Sequence, residues 1–363
     1  MRIAVFPRDR NPYQRLLYGE MTKWGVAIRY LGERTRSHTV NVLLLPADVV
    51  AARLAGATIL HVHWMYRFVL PAPPAQGEGG RRVMQLWAWL LPRWARLLGM
   101  TVVWTAHNAL PHDRIFGDDR AARRQLVAAC DLVLAHDAAV LRELAAFGAR
   151  PKRSAIVSQG AYVGQYPPGA GRDAARAALG AGPQNVVMLF FGRIAAYKGV
   201  EDLLAAVDKA VASGQVVLRI VGECPDPSLR RRIESLAAVY GPAVRLEFRH
   251  APDVEVADLF AAADVVVLPF RSVSNSGSAL LAMTFGRPVV VPHLAAFDEF
   301  PAQACVRYDG TVEDLRAALA GLTEPGAATA LAARAEGPAF AFAEARSWRR
   351  CAKETYAALS SAR

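Results

Sequence analysis

The chain has 363 residues, 53% hydrophobic and 21% charged, a globular composition too long for one ordinary core, so two domains are expected. No apolar run reaches the roughly 18 uncharged residues of a membrane span, and the opening "MRIAVFPRDR" has too short an apolar stretch before Arg8 for a signal peptide, which points to the cytoplasm. A formal charge of +11 calls for an anionic partner, phosphorylated small molecules or an acidic membrane surface; nucleic acid is disfavoured, because the arginines scatter along helical stretches without a recognised binding module.

In chain order, "RIAVF" (2–6), "TVNVLLL" (39–45), "ATILHVHW" (57–64), "TVVWTAH" (101–107), "DLVLAH" (131–136) and "SAIVSQG" (154–160) read as six strands separated by helices or loops. Such alternation predicts a parallel sheet covered on both faces. Within it, "PAPPAQGEGG" (71–80) reads as a flexible loop. The next stretch, "RRVMQLWAWLLPRWARLLG" (81–99), mixes Trp87, Trp89 and Trp94 with Arg81, Arg82, Arg93 and Arg96. Two readings of it stand side by side: a helix lying in a membrane interface, or a core helix packing its tryptophans on the sheet.

After a Pro/Gly-rich passage (164–185) the pattern restarts with "VVMLFFG" (186–192), "VVLRIVG" (216–222), "VRLEF" (244–248), "DVVVLPF" (264–270) and "RPVVVP" (287–292), predicting a second doubly wound α/β lobe. Cys130, Cys224, Cys305 and Cys351 are far apart without a C-x-x-C, so neither a zinc site nor a disulfide framework is indicated. In "FFGRIAAYKG", Arg193 follows a strand end and Lys198 opens a helix, a fork and a movable point charge that together can neutralise a diphosphate. Downstream, Asn275, Ser276, Gly277 and Ser278 form a small polar loop running into a helix, whose N–H groups can cradle phosphate from the other side.

"GRIAAYKG", "IVGE" with Gly222, "ADLFAAADVVVLPF" and "SGSALLAMTFGRPVVVP", in this order, resemble the C-terminal lobe of GT-B nucleotide-sugar glycosyltransferases of the bacterial family 4 type. The resemblance covers most of residues 186–292, and "FAFAEARSWRRCAKETYAAL" (340–359) is similar to the helix that crosses back to the N-terminal lobe in that fold. It implies two Rossmann-like domains facing a cleft: an acceptor-binding domain over 1–163, a donor-binding domain over 164–339 and the crossing helix over 340–363. It also implies that Arg193, Lys198, Gly222, Asn275, Ser276, Gly277 and Ser278 bind the donor.

The chain departs from the family at one informative place. Where typical members carry two glutamates eight positions apart, aligned through Gly286 and Pro288, this chain has Val273 and Leu281, which neither hydrogen-bond nor bear charge. The Ser-Gly-Ser loop followed by an aliphatic helix instead resembles the branch of bacterial exopolysaccharide (GDP-mannose:glycolipid) β-mannosyltransferases, which invert the anomeric centre. Inversion needs a base from the N-terminal lobe. "TAHNALPHD" (105–113) offers His107 and Asp113, and "PRDRNPYQRLLY" (7–18) offers Asp9. Asn11, His63, Asn108 and His112 are the expected acceptor contacts, while Arg8 and His61 fit either a site or a structural role.

No Asp-x-Asp is present, so a metal-independent reaction without a cofactor is expected, with Arg193 and Lys198 meeting the diphosphate charge. The reading is transfer of a sugar from GDP-mannose or a UDP-sugar to a hydroxyl acceptor, a glycolipid or a saccharide, at the inner membrane face or in the cytoplasm. Its competitors are a retaining transferase, a nucleotide-sugar epimerase and a non-catalytic nucleotide-sugar-binding subunit.

Overall fold

The computed structural model describes residues 1–9, 12–64, 77–111, 115–207 and 214–362. They fall into two units, Met1–Gly160 with Trp348–Arg363, and Ala161–Ser347.

Unit one runs β1 (Arg2–Phe6), α1 (Pro12–Thr22), β2 (Ala27–Tyr30), α2 (His38–Leu54), β3 (Ile59–Val62), α3 (Glu78–Leu97), β4 (Thr101–Ala106), α4 (Asp119–Ala129), β5 (Leu132–Ala135), α5 (Ala138–Ala146) and β6 (Ser154–Ile156). Its six strands form one sheet in the order β2-β1-β3-β4-β5-β6, and every adjacent pair is parallel. The middle strands are buried throughout, as helices on both faces of a parallel sheet require.

One expected strand is a helix. Residues 39–45 lie in α2, where the Ser37 hydroxyl accepts from the Val40 N–H, and Asn41, Val42, Leu45, Asp48, Val49 and Ala52 are buried at a spacing of three and four. Burial at a helical period overrides the β-branched content of the stretch. The second strand is instead the half-exposed edge segment "AIRY" of β2, paired with β1.

Helix α3 turns Met84, Ala88, Leu91 and Ala95 to the core. Its tryptophans reach sideways to α2, Trp87 Nε1 donating to the Val42 carbonyl (3.0 Å) and Trp94 Nε1 to that of Pro46 (3.3 Å). Val83, Leu86, Leu90 and Leu97 are left exposed, as are Leu43 and Leu54 of α2. Among the described residues, no helix is long and apolar enough to cross a membrane.

Unit two comprises α6 (Arg172–Leu179), β7 (Val186–Phe191), α7 (Val200–Ala206), β8 (Val216–Val221), α8 (Pro227–Ala237), β9 (Val244–Glu247), α9 (Asp253–Ala262), β10 (Val265–Val267), α10 (Gly277–Thr284), β11 (Val289–Pro292), β12 (Cys305–Tyr308), α11 (Val312–Thr323) and α12 (Ala327–Glu344). Its sheet reads β9-β8-β7-β10-β11-β12, the order 3-2-1-4-5-6 of a dinucleotide-type fold. The sequence reading did not anticipate β12, a four-residue edge strand with an arginine in it. Asp264 ties α6 to the centre of this sheet. One carboxylate oxygen accepts from the Val187 N–H (2.7 Å) and from Arg176 (2.9 Å), and the other holds Arg172.

Helix α12 stays in unit two, packed on α10. The chain rejoins unit one with α13 (Trp348–Ser361), which lies on α1 and is anchored by Glu354 accepting the Ser158 N–H at 2.7 Å.

Candidate functional site

In unit two the strand order reverses between β7 and β10, the place where a doubly wound sheet opens a crevice beyond its strand ends. The chain leaves β7 through Gly192 and Arg193 and makes a 3₁₀ turn at Ala196–Lys198; it leaves β10 through the loop that carries Asn275 and Ser276. Both exits are held together. Arg271 binds Asp202 through two nitrogens, each at 2.7 Å, and its backbone N–H donates to the Tyr197 carbonyl at 2.8 Å.

Two glycines permit this closeness. Gly199 has φ +66°, and a Cβ there would stand 1.9 Å from the Pro269 carbonyl oxygen. At Gly222 a Cβ would stand 1.9 Å from the Gly192 carbonyl oxygen, so the main chains after β7 and β8 touch. Ser278 Oγ is likewise only 2.8 Å from where a Gly192 Cβ would be, which puts the start of α10 beside Arg193.

Ser276 is the N-cap of α10: its hydroxyl accepts from the Ala279 N–H at 3.1 Å and its carbonyl from the Leu280 N–H. The Gly277 and Ser278 N–H groups, first in the helix, remain directed outward, as helix geometry dictates. A Cβ on Gly277 would meet nothing nearer than Tyr162 Oη, at 3.5 Å, so the protein itself leaves room there.

Arg193 is exposed, and Lys198 is half-buried with its ammonium 3.8 Å from the Phe270 ring centroid. Burial lowers the Lys198 pKa to about 8. Val273 is half-buried in the loop and Leu281 is buried within α10. The arrangement is a cationic, amide-lined crevice suited to an anion such as a diphosphate.

In unit one the order reverses between β1 and β3. Beyond β1, the Asp9 N–H donates to Gln14 Oε1 (3.0 Å), and the buried Gln14 amide donates back to the Pro7 carbonyl (2.7 Å). Arg8 pairs with Glu33 at 3.2 Å. These residues border a groove of ≈ 680 Å³ shared with Tyr18 and Tyr30. Asn11, His112 and Asp113 lie outside the described residues.

His63, His107 and His136 follow or end the adjacent strands β3, β4 and β5, and His61 lies within β3; all four are buried. His107 Nε2 is 3.2 Å from His63 Nδ1, and His107 Nδ1 is 3.3 Å from His136 Nε2. The His107 ring also stacks on Trp64, with centroids 4.3 Å apart and planes 9° from parallel. Asn108 follows, half-buried. Burial holds His61 down at about 3 and His136 at about 4. It also keeps His63 and His107 well below the usual imidazole range, with neighbouring histidines adding to the effect. Tyr13 stands at the hub, its ring centroid 4.8 Å from His107, 5.3 Å from His136 and 5.3 Å from Trp348.

Sequence reasoning named His63 and His107 but missed Tyr13, Tyr18 and His136. The signal was present: three successive strands each have a histidine at the C-terminal end, and neighbouring parallel strands bring such ends together.

Two doubly wound units of these topologies in one chain make a GT-B fold. Solved structures share it along the whole chain. Sucrose-phosphate synthase from Thermosynechococcus elongatus superposes with a TM-score of 0.76 at 17% identity, over 100% of both chains. Anabaena Alr3699/HepE, in complex with UDP and glucose, gives 0.74 at 16% identity over 99% of this chain and 100% of that one. Residues 185–333 match the family described as Glycosyl transferases group 1. Among curated relatives, the D-inositol 3-phosphate glycosyltransferase of Rhodococcus opacus is 33% identical over 258 residues, 65% of this chain and 57% of the relative. The GDP-mannose:glycolipid 4-beta-D-mannosyltransferase of Xanthomonas campestris pv. campestris is 30% identical over 242 residues, 66% of this chain and 63% of the relative. The alignments thus span 41%, 57% and 63% of the length of three such relatives.

Proposed function

We propose that this chain is a glycosyltransferase that moves a sugar from a nucleoside-diphosphate sugar to a hydroxyl acceptor. The observation that carries the reading is the crevice at the switch point of unit two, where Arg193 and Lys198 follow β7 and the amide-lined start of α10 follows β10, with neither cation paired to a carboxylate among the described residues. Those two charges take the place of a divalent ion on the diphosphate. The mannosyltransferase relative and the UDP-bound structural neighbours support a nucleotide sugar, GDP-mannose or a UDP-sugar, as donor.

The transfer inverts the anomeric centre, a reading supported by Val273 and Leu281 standing where carboxylates would serve a retaining site. Inversion needs a base for the acceptor proton. Asp9, His107 and Asp113, after β1 and β4 of unit one, are the candidates, and Asn11, Asn108 and His112 are acceptor contacts; His63, buried with both ring nitrogens hydrogen-bonded to Tyr18 and His107, has no group left for an acceptor. The exposed apolar row of Val83, Leu86, Leu90 and Leu97, flanked by Arg82, Arg93 and Arg96, favours a lipid-linked acceptor met at an anionic membrane surface.

Calorimetric titration of GDP and UDP tests the donor site. Arg193→Ala and Lys198→Ala should each weaken binding by about 10- to 100-fold, the loss of one charge-assisted contact. Transfer itself should persist in EDTA. Unchanged nucleotide affinity in both variants would refute the site. The absence of family carboxylates at Val273 and Leu281 also favours one second reading, a donor-binding subunit without turnover. Tight nucleotide binding with no transfer to any acceptor would establish it.

A further inference from the structure

Six side chains of unit one form one unbroken hydrogen-bonded line. Thr105 Oγ1 lies 2.7 Å from His61 Nε2, His61 Nδ1 2.8 Å from Tyr18 Oη, and Tyr18 Oη 2.7 Å from His63 Nε2. His63 Nδ1 then lies 3.2 Å from His107 Nε2, His107 Nδ1 3.3 Å from His136 Nε2, and His136 Nδ1 3.1 Å from the Val157 carbonyl oxygen. All six are buried, none above 9% exposed.

One end of the line has a fixed role. A backbone carbonyl only accepts, so His136 must carry its proton on Nδ1. A neutral His136 then accepts at Nε2, which places the His107 proton on Nδ1. The same step repeats: His107 accepts at Nε2 from the Nδ1–H of His63. His63 accepts at Nε2 from the single hydroxyl proton of Tyr18. The Tyr18 oxygen in turn accepts from the Nδ1–H of His61, whose Nε2 takes the Thr105 hydroxyl proton. Every donor and acceptor along the line is satisfied with all four rings uncharged, and no other assignment of neutral rings achieves this once the carbonyl is fixed.

We propose that the Val157 carbonyl, acting through His136, locks His61, His63, His107 and His136 together in the Nδ1–H tautomer, so that His107 is a fixed uncharged ring and the base of the transfer is a carboxylate. The lone pair that His107 would need as a base is already taken by the Nδ1–H of His63. The line also cannot drain a proton, because it begins at a hydroxyl and ends at an amide carbonyl. His136 is thus a positioning residue: it touches no reacting atom but sets the ring orientation and tautomer of His107. The lock stands on geometry alone; the assignment of the base rests on the proposed transfer.

The test is a long-range ¹H–¹⁵N correlation spectrum of the full chain with ring-labelled histidine, assigned by single substitutions. Four of the eight histidines should show the Nδ1–H pattern. An Nε2–H or imidazolium pattern at His61, His63 or His107 in the native protein at pH 7 would overturn the lock. His136→Gln, whose side-chain carbonyl can still accept from His107, should keep His107 in the Nδ1–H form. His136→Phe should release it and lower kcat about 10- to 100-fold with donor KM little changed, the effect of a misaligned ring. If His136→Phe does not fold, the wild-type and His136→Gln spectra still decide. Restoration of His107→Ala turnover by added imidazole would make His107 the base and overturn the second half. The predicted tautomers without any transfer activity would leave the lock intact and refute the proposed function alone.

Discussion

Lowering the pH should unfold unit one well above the range where carboxylates protonate. The perturbation is proton uptake by the four buried histidines on unfolding. His61 and His136 have pKa values of about 3 and about 4 in the folded chain against 6.5 for a free imidazole, because burial penalises the cation. A folded pKa below the unfolded one means that the unfolded chain binds more protons between the two values. Stability is therefore complete above pH 6.5 and is lost as the pH falls below it. At pH 5 the unfolded imidazole is almost fully protonated and the folded one hardly at all, so each histidine costs about 2 kcal/mol, and these two together about 4. The figure depends little on how far below 5 the folded values lie. His63 and His107, pushed down by the same burial and by their histidine neighbours, add to it. Against a typical total of about 5–15 kcal/mol this is a large fraction.

All seven tryptophans lie in unit one, so tryptophan fluorescence during urea unfolding follows that unit alone. Between pH 6 and 5 its unfolding free energy should fall by at least about 2.5 kcal/mol, the slope of two protons. A slope of less than one proton in that interval would refute the buried, neutral array.

Nucleoside diphosphate affinity should fall between pH 7 and 9 as Lys198, with a pKa of about 8, loses its charge, a dependence that calorimetry should find missing in Lys198→Ala. Gly222→Ala should lower both melting temperature and nucleotide binding, since its Cβ would press 1.9 Å from the Gly192 carbonyl oxygen beside Arg193. Gly277→Val, at a position where the protein leaves space, should keep a near wild-type melting temperature yet bind nucleotide poorly; loss of the fold would show that Gly277 serves packing. Asp264→Asn should destabilise unit two by about 3 kcal/mol in thermal or urea unfolding, the cost of breaking a buried pair that leaves Arg176 without its anion.

What the sequence by itself determined is what local chemistry encodes. Alternating strands and helices dictated two doubly wound sheets, and a strand end with Arg193, a turn with Lys198 and a Ser-Gly-Ser helix start were each legible because each lies within a few residues of chain. Residues 39–45 misled because β-branched residues were weighed above the spacing of three and four that buries α2, and β12 was missed because a short edge strand buries too little to leave a pattern. The histidine line was beyond reach for a different reason. Tyr18, His61, Thr105, His107 and His136 come from four elements, and only the sheet order β1-β3-β4-β5, with helix α1 laid over it, sets them within hydrogen-bonding distance. The tautomer of each ring then follows from a carbonyl at Val157, a group every residue carries and no sequence distinguishes; its role exists only because β6 pairs beside β5 and leaves that carbonyl facing His136.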